Sequence, residues 1–315
     1  MDTVILIGRK TDPHIQGIIS ELDKLNQKYV VLDEFSVGDS FTLQFPEQKL
    51  AQIKTNQFQI NNNEIKSIWN SSSLKVSINP DIVEESKKFV QNEWSEGIMS
   101  LWNSIETNWV NHPEAIEFNG NRLKQLKLAH EIGWEIPQTM ITCEPGQIYE
   151  FYKKCQKNII AKTLNSSIGL PEGKMIFSSK INEKDLERSL ELQNSPCMFQ
   201  EYVDKKTEFR STIIGETIHS VEIHSQKSEK TKHDWRHYDD FKKTPYISQE
   251  LPDEINSKLL QMMKKMGLKF GAADIIRTPD DEYYFLEINP NGRWWWIQEL
   301  TGINIAKDIA SYLIN

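Results

Sequence analysis

Cysteine is scarce. Cys143, Cys155 and Cys197 form an odd, widely spaced set without a Cys-x-x-Cys, which excludes a disulfide framework and a thiolate zinc site and points to a reducing, cytoplasmic setting. Long apolar runs are missing as well. No segment approaches the ~20 residues needed to span a bilayer, and the opening "MDTVILIGRKTD" lacks a basic region and a cleavage site, so no membrane partner is expected. Positive charge is not in excess either. A net charge of −8 argues against nucleic acid as the main partner, because phosphate backbones require a concentrated cationic surface. With 14 Gly and 12 Pro in 315 residues and no internal repeat, fibrous and low-complexity classes are excluded.

What is present is an ordinary globular composition, 38% hydrophobic and 26% charged, over a length that suggests about two domains or one elaborate one. "TVILIG" reads as a buried strand. Ile15, Ile18, Ile19, Leu22 and Leu25 then recur at helical spacing before the strand "KYVVLDEF", which makes a β-α-β opening. No G-x-G-x-x-G follows that first strand, so a dinucleotide fingerprint is absent. Residues 41–78 read as a small meander of "FTLQF", "NQFQIN", "IKSIWN" and "LKVSI". From Pro80 to about Val110, Phe89, Trp94, Ile98, Leu101, Trp102, Ile105 and Trp109 predict one long amphipathic helix whose tryptophans pack in a core. "NHPEAIEFNGN" breaks the pattern and is the candidate boundary.

Further on, the pattern predicts a helix ending at Gly133, a strand after Pro137, a helix opened by Pro145 and the strand "NIIAKTL". After the polar loop "NSSIGLPEGK", "MIFSS" resumes the strand, a helix covers Asn182–Gln193, and "CMFQEYV" is again a strand. "TEFRSTIIG" and "ETIHSVEIHSQ" read as hairpin arms, and residues 226–248 as a long functional or mobile loop. A helix ending at Gly267, the strands "FGAADIIRT" and "EYYFLEINP", and a helix with Ile305, Ile309 and Leu313 close the chain. The mixture is α+β in character.

If "PDDE" (279–282) is the turn of the last hairpin, antiparallel pairing places Asp274 opposite Glu287 and Ala272 opposite Asn289. Asp274, Glu287 and Asn289 then converge on one face beside a small alanine. Three hard oxygen donors suit Mg²⁺, which shares its shell with substrate phosphates. An isolated acidic residue at a strand end is by default exposed. Glu287, however, lies inside "FLEIN", whose apolar flanks predict burial, and a buried carboxylate needs cations or donors nearby.

These residues resemble the C-terminal metal and nucleotide signature of the ATP-grasp superfamily. Closer still, "FLEINPNGRWWWIQELTG", "FQEYVDKKTEFRSTIIG" and "HDWR" are similar to the microviridin-type (graspetide) ATP-grasp maturases of ribosomal peptides. The resemblance runs from about residue 116 onward. It implies an α+β ATP-grasp fold with an N-terminal α/β pre-ATP-grasp domain (1–115), a central lid domain (116–203) and a C-terminal antiparallel-sheet domain (204–315). It also implies ATP and Mg²⁺ as cofactors, an acyl-phosphate intermediate, and a ribosomal precursor peptide, leader plus core, as partner; a homodimer is left open.

Position by position, the resemblance implies that Lys162 in "IIAKTL" holds phosphates. A strand lysine is by default an exposed edge residue, but here Ile159, Ile160 and Ala161 precede it. Arg122 stands where relatives have lysine, with Lys124 as the alternative. Gln200, Glu201, Tyr202 and Val203 match the adenine hinge, although a plain buried strand reads the same. Glu208 would meet the ribose and Lys205 phosphate or substrate. Arg210, Arg236 and Arg293 are the candidate catalytic arginines, since phosphoryl transfer concentrates negative charge that guanidinium groups stabilise. The loop "NSSIGLPEGK" could close over phosphates through Ser167 and Gly169, and a hairpin tip would have the same composition. His219, His224, His233 and His237 do not make a zinc site, because "HDWRH" lacks the general-base glutamate and carries Asp234 instead. Trp294, Trp295 and Trp296 fit a stacking platform, a peptide-binding wall or core. Three functions remain open: a graspetide-type macrocyclase, a broader ATP-grasp carboxylate–amine ligase, and a nucleotide-binding module without catalysis.

Overall fold

The structure, a computed structural model, describes residues 2–46, 50–72, 74–164, 177–237 and 244–315. The first region contains β1 (Thr3–Ile7), α1 (Pro13–Lys24), β2 (Tyr29–Leu32), β3 (Glu34–Phe35), β4 (Ser40–Gln44), β5 (Leu50–Lys54), β6 (Gln59–Asn61), β7 (Ile65–Asn70), β8 (Lys75–Val76), α2 (Glu84–Asn103), β9 (Asn108–Val110) and α3 (Pro113–Asn119). Strands β2-β1-β7-β9 form a parallel sheet. Every residue of β1 is buried, as expected for a strand covered on both faces.

Two expectations are corrected here. The meander comprises only β4-β5-β6, whereas "IKSIWN" is β7 and lies parallel against β1. The long helix stops at Asn103, and Trp109 belongs to β9. Its ring meets that of Trp102 edge-on at 5.4 Å, so the apolar spacing reflects contact across a turn rather than a continuing helix.

The central region contains α4 (Arg122–Ile132), β10 (Thr139–Thr142), α5 (Pro145–Lys154), β11 (Ile159–Lys162), β12 (Ser179–Lys180), α6 (Glu183–Glu187) and β13 (Cys197–Glu201). Gly133, at φ 91°, ends α4 in the left-handed conformation that glycine tolerates. The helix expected over 182–193 is α-helical only to Glu187 and continues as 3₁₀ turns. Strand order is β10-β13-β11-β12, all antiparallel. Alternation turns Ile159 and Phe199 into a core with Ile148 and Phe151 of α5, and leaves Ile160, Lys162 and Gln200 on the opposite face.

The last region contains β14 (Thr207–Ile214), β15 (Thr217–Ile223), β16 (Tyr246–Ser248), α7 (Asp253–Met266), β17 (Phe270–Arg277), β18 (Tyr283–Asn289), α8 (Trp295–Thr301) and α9 (Ile305–Ile314). Its antiparallel sheet runs β16-β15-β14-β17-β18. The residues expected as a loop over 226–248 thus end in a strand that pairs with Val221–Ile223. Helix α7 covers one face, where Leu259 and Met263 pack on Phe209, Ile213 and Phe285. The other face carries Glu208, Arg210 and Asp274. A second core joins this region to the first: Trp69 meets Phe270 at 4.9 Å, and an added Cβ on Gly17 would lie 2.4 Å from Trp295, so α1 packs directly on that ring. Among the described residues no helix is long and apolar enough to cross a membrane.

Candidate active site

The polar face of the central sheet looks across at the open face of the C-terminal sheet. Between them lies a cleft with Ile160, Lys162, Gln200 and Tyr202 on one wall and Glu208, Asp274, Ile276 and Glu287 on the other. Lys205, Asp234, Trp235 and Arg236 also line it.

The last hairpin brings its acidic pair together, by a route the sequence did not reveal. Its turn is closed by Thr278 N–H on the Glu282 carbonyl (2.9 Å), one residue longer than the expected 279–282 turn, so Arg277 faces Tyr283. A bulge then absorbs Leu286, and beyond it Asp274 faces Glu287 and Ala272 faces Asn289. The bulge has a second effect: neighbours Leu286 and Glu287 both line the cleft.

Four carboxylates of the site, Asp274, Glu287, Asp234 and Glu208, each hold a cation. Arg210 Nη1 donates to both oxygens of Asp274 (3.0 and 2.9 Å). Arg122, the first residue of α4, pairs through Nε with Glu287 and donates from Nη1 to the Thr163 carbonyl (2.6 Å). Arg236 forks onto Asp234 with bonds of 2.8 and 2.6 Å. Lys205 donates to Glu208 (2.9 Å) and to the His233 carbonyl (3.0 Å).

Burial and these neighbours set the protonation. Burial pushes Asp274 above the usual carboxylate range, with Glu287 adding to the effect and Arg210 opposing it. Burial pushes Glu287 the same way, but the charge and hydrogen bond of Arg122, with Lys162 and Arg236, hold it below its ordinary value. Asp234, also buried, is carried far below it by Arg236 and the Ser178 N–H. Lys162 reaches the cleft surface with part of its side chain, yet burial, reinforced by Arg122 and Lys205, pushes its ammonium down to about 8.

Of the residues singled out from the sequence, Lys162, Gln200, Glu201, Tyr202, Val203, Lys205, Glu208, Arg236, Asp274 and Glu287 line the cleft. Arg122 and Arg210 reach it through their carboxylate partners. Lys124, the alternative to Arg122, sits over the Phe118 ring instead. Asn289 is exposed at the strand end, and its Oδ1 accepts from Asn291 N–H (3.0 Å). Arg293 turns away and pairs with Asp12, the cap of α1, at 2.8 Å. The loop "NSSIGLPEGK" (165–174), with Ser167 and Gly169, lies outside the described residues. The histidines are scattered: His219 pairs with Asp308 (2.6 Å), His233 meets the Tyr202 hydroxyl (3.2 Å), and His237 stacks on Phe177. Among the described residues no three His, Cys, Asp or Glu side chains gather as a metal cluster.

The reading of the sequence missed Asp234, which holds Arg236, and the apolar floor of Ile276 and Leu286. "HDWR" contained the first signal, an acid two residues before its arginine; the floor had none.

The donor set fits a magnesium-bound nucleoside triphosphate. Two facing carboxylates and an amide oxygen are hard ligands. Glu208 Oε2 and Arg210 Nε are buried without a partner among the described residues, an acceptor and a donor of the polarity a ribose hydroxyl and a phosphate oxygen require. A Cβ on Gly292 would lie 2.7 Å from Arg210 Nη2, so the loop after β18 closes directly on that guanidinium.

Residues 119–313 match the model of the RimK-like ATP-grasp domain. No curated protein matches the chain. A Chryseobacterium gregarium RiPP-associated ATP-grasp ligase, solved in complex with ADP and a leader and core peptide, superposes with a TM-score of 0.90 at 27% identity, covering 99% of this chain and 96% of that one. The macrocyclase MdnC of Microcystis aeruginosa, bound to the precursor peptide MdnA, gives 0.87 at 26% identity and covers 100% of both chains. MdnB, a macrocyclase of the same organism, gives 0.82 at 26%, covering 100% of this chain and 99% of that one.

Proposed function

The chain belongs to the RimK-like ATP-grasp family, a family of ATP-dependent ligases, and from that premise we propose that it is a macrocyclase of a ribosomal precursor peptide. It activates Asp or Glu side chains of the core as acyl phosphates and closes them onto Ser, Thr or Lys side chains of the same peptide, as ester or amide rings. One observation carries this reading: the likeness to peptide-bound ligases extends over the whole chain, including the first region that lies outside the ATP-grasp match. On this reading the pre-ATP-grasp, lid and C-terminal domains span 1–115, 116–203 and 204–315.

Gln200, Glu201, Tyr202 and Val203 receive the base over the floor of Ile276 and Leu286, and Glu208 accepts from the ribose. Lys162, whose ammonium has no hydrogen-bond partner among the described residues, is a cation for the phosphates. Asp274, Glu287 and Asn289 would hold magnesium, which when bound neutralises and orients the terminal phosphates. Arg210 and Arg236 have N–H groups beyond those their carboxylates take, and these hold the equatorial oxygens of the transferring phosphoryl group. A substrate carboxylate oxygen attacks the γ-phosphorus and the bond to ADP breaks. The hydroxyl or amine then attacks the acyl carbon, the C–O bond to phosphate breaks, and in the balance phosphate leaves with the nucleophile's proton.

Incubation of the protein with ATP, Mg²⁺ and its precursor peptide should remove one water mass per ring with release of ADP. ADP release with a peptide of unchanged mass would refute macrocyclisation.

A further inference from the structure

Glu287 and Asn289 flank Ile288 on β18, which is the outer strand of its sheet. Backbone polar groups of successive residues point to opposite sides of a strand, so Glu287 and Asn289 turn theirs to β17 while Ile288 turns its own outward. On an open edge such groups would be left to solvent. Here they meet one side chain. Gln125, on α4 one turn after Arg122 and 3% exposed, accepts the Ile288 N–H at Oε1 (2.7 Å) and donates from Nε2 to the Ile288 carbonyl (2.8 Å). Its second Nε2 proton goes to the Asn119 carbonyl (2.6 Å), which fixes the carboxamide's orientation.

We propose that Gln125 is a positioning residue of the metal site: its carboxamide acts as one residue of a further strand and thereby sets where Glu287 and Asn289 present their oxygens. The inference rests on the assignment of magnesium to Asp274, Glu287 and Asn289. The physical argument is that metal ligands are only as well placed as the backbone that carries them, and partners behind the ligands typically tune metal affinity about 10- to 100-fold. Helix α4 grips the same strand twice, at the Glu287 carboxylate through Arg122 and at the Ile288 backbone through Gln125.

The test is Mn²⁺ binding, as a stand-in for magnesium, in the presence of ADP, read by electron paramagnetic resonance on wild type, Glu287→Gln, Gln125→Met and Gln125→Glu. Met keeps the length and loses both bonds; Glu keeps an acceptor for the Ile288 N–H but sets an oxygen against its carbonyl. Glu287→Gln should lose the metal, and both Gln125 variants should bind it about 10- to 100-fold more weakly, with metal-free ADP affinity unchanged. A Gln125 variant that melts earlier yet binds Mn²⁺ as wild type does overturns the positioning role and leaves the metal assignment standing. Normal binding by Glu287→Gln overturns the assignment itself. Amide exchange on the wild-type chain needs no variant to fold: Ile288 should be protected like its β17 neighbours, and exchange at the rate of an open edge refutes the clamp.

Discussion

The two walls of the cleft carry their cations in opposite ways. On the C-terminal wall Arg210 is gripped by Asp274, and beside it Arg236 by Asp234, each through a pair of hydrogen bonds. On the central wall the Lys162 ammonium has no hydrogen-bond partner among the described residues, and burial pushes its pKa down to about 8. A guanidinium held through two hydrogen bonds fixes direction, and the guanidinium keeps its charge at any working pH. A desolvated lysine fixes nothing by itself, but it strains toward any anion that enters. The walls therefore divide the work: one supplies geometry, the other a standing demand for negative charge.

The largest effect should come from the carboxylate at the centre of the contrast. Glu287→Gln is expected to abolish ligation while the protein stays folded by circular dichroism, and wild-type rates would remove Glu287 from the site. Next, the walls should respond differently to loss of a cation. Arg210→Met leaves Asp274 buried and unpaired, which should cost about 3–5 kcal/mol in urea unfolding as well as about 10²- to 10³-fold in turnover. Lys162→Met removes an unpaired buried charge, so stability should hold or rise while ATP turnover collapses. Equal destabilisation by both would erase the distinction.

A third effect is one of pH. Because the folded pKa of Lys162 is about 8 against an ordinary 10.5, between these values the unfolded chain holds a proton that the folded chain has released. Stability from this group therefore rises with pH across that window. Nucleotide affinity should move the other way, falling above pH about 8 as the charge is lost, with ATP binding there coupled to proton uptake. Calorimetry in buffers of different ionisation enthalpy measures both, and Lys162→Arg should flatten the profile. The smallest effect is expected at Arg293, which pairs with Asp12 through a side chain that is 60% exposed. Arg293→Ala should cost no more than about 1 kcal/mol and leave turnover nearly intact.

Much of this site was legible because it is built on strands with period-two alternation. "FLEIN" announced a buried carboxylate, and the facing of Asp274 and Glu287 followed from pairing alone, although the true turn is longer and Leu286 makes up the difference. What could not be read depends on contacts distant in sequence. Trp109 kept helical spacing because it packs on Trp102 across a turn. "IKSIWN" looked like one more piece of a meander, since nothing local separates a parallel inner strand from an edge one. Arg293 looked catalytic by its place after "NPNG", but it pairs with the cap of α1, 281 residues away. Gln125 reads as an ordinary polar helix residue until β18 is seen beside it.

The five-residue turn and the bulge at Leu286 offset each other in register, so Glu287 faces Asp274 as it would across a shorter turn without a bulge. A fluorophore or affinity handle at the exposed tip therefore belongs on a substituted Asp280, not on an inserted residue.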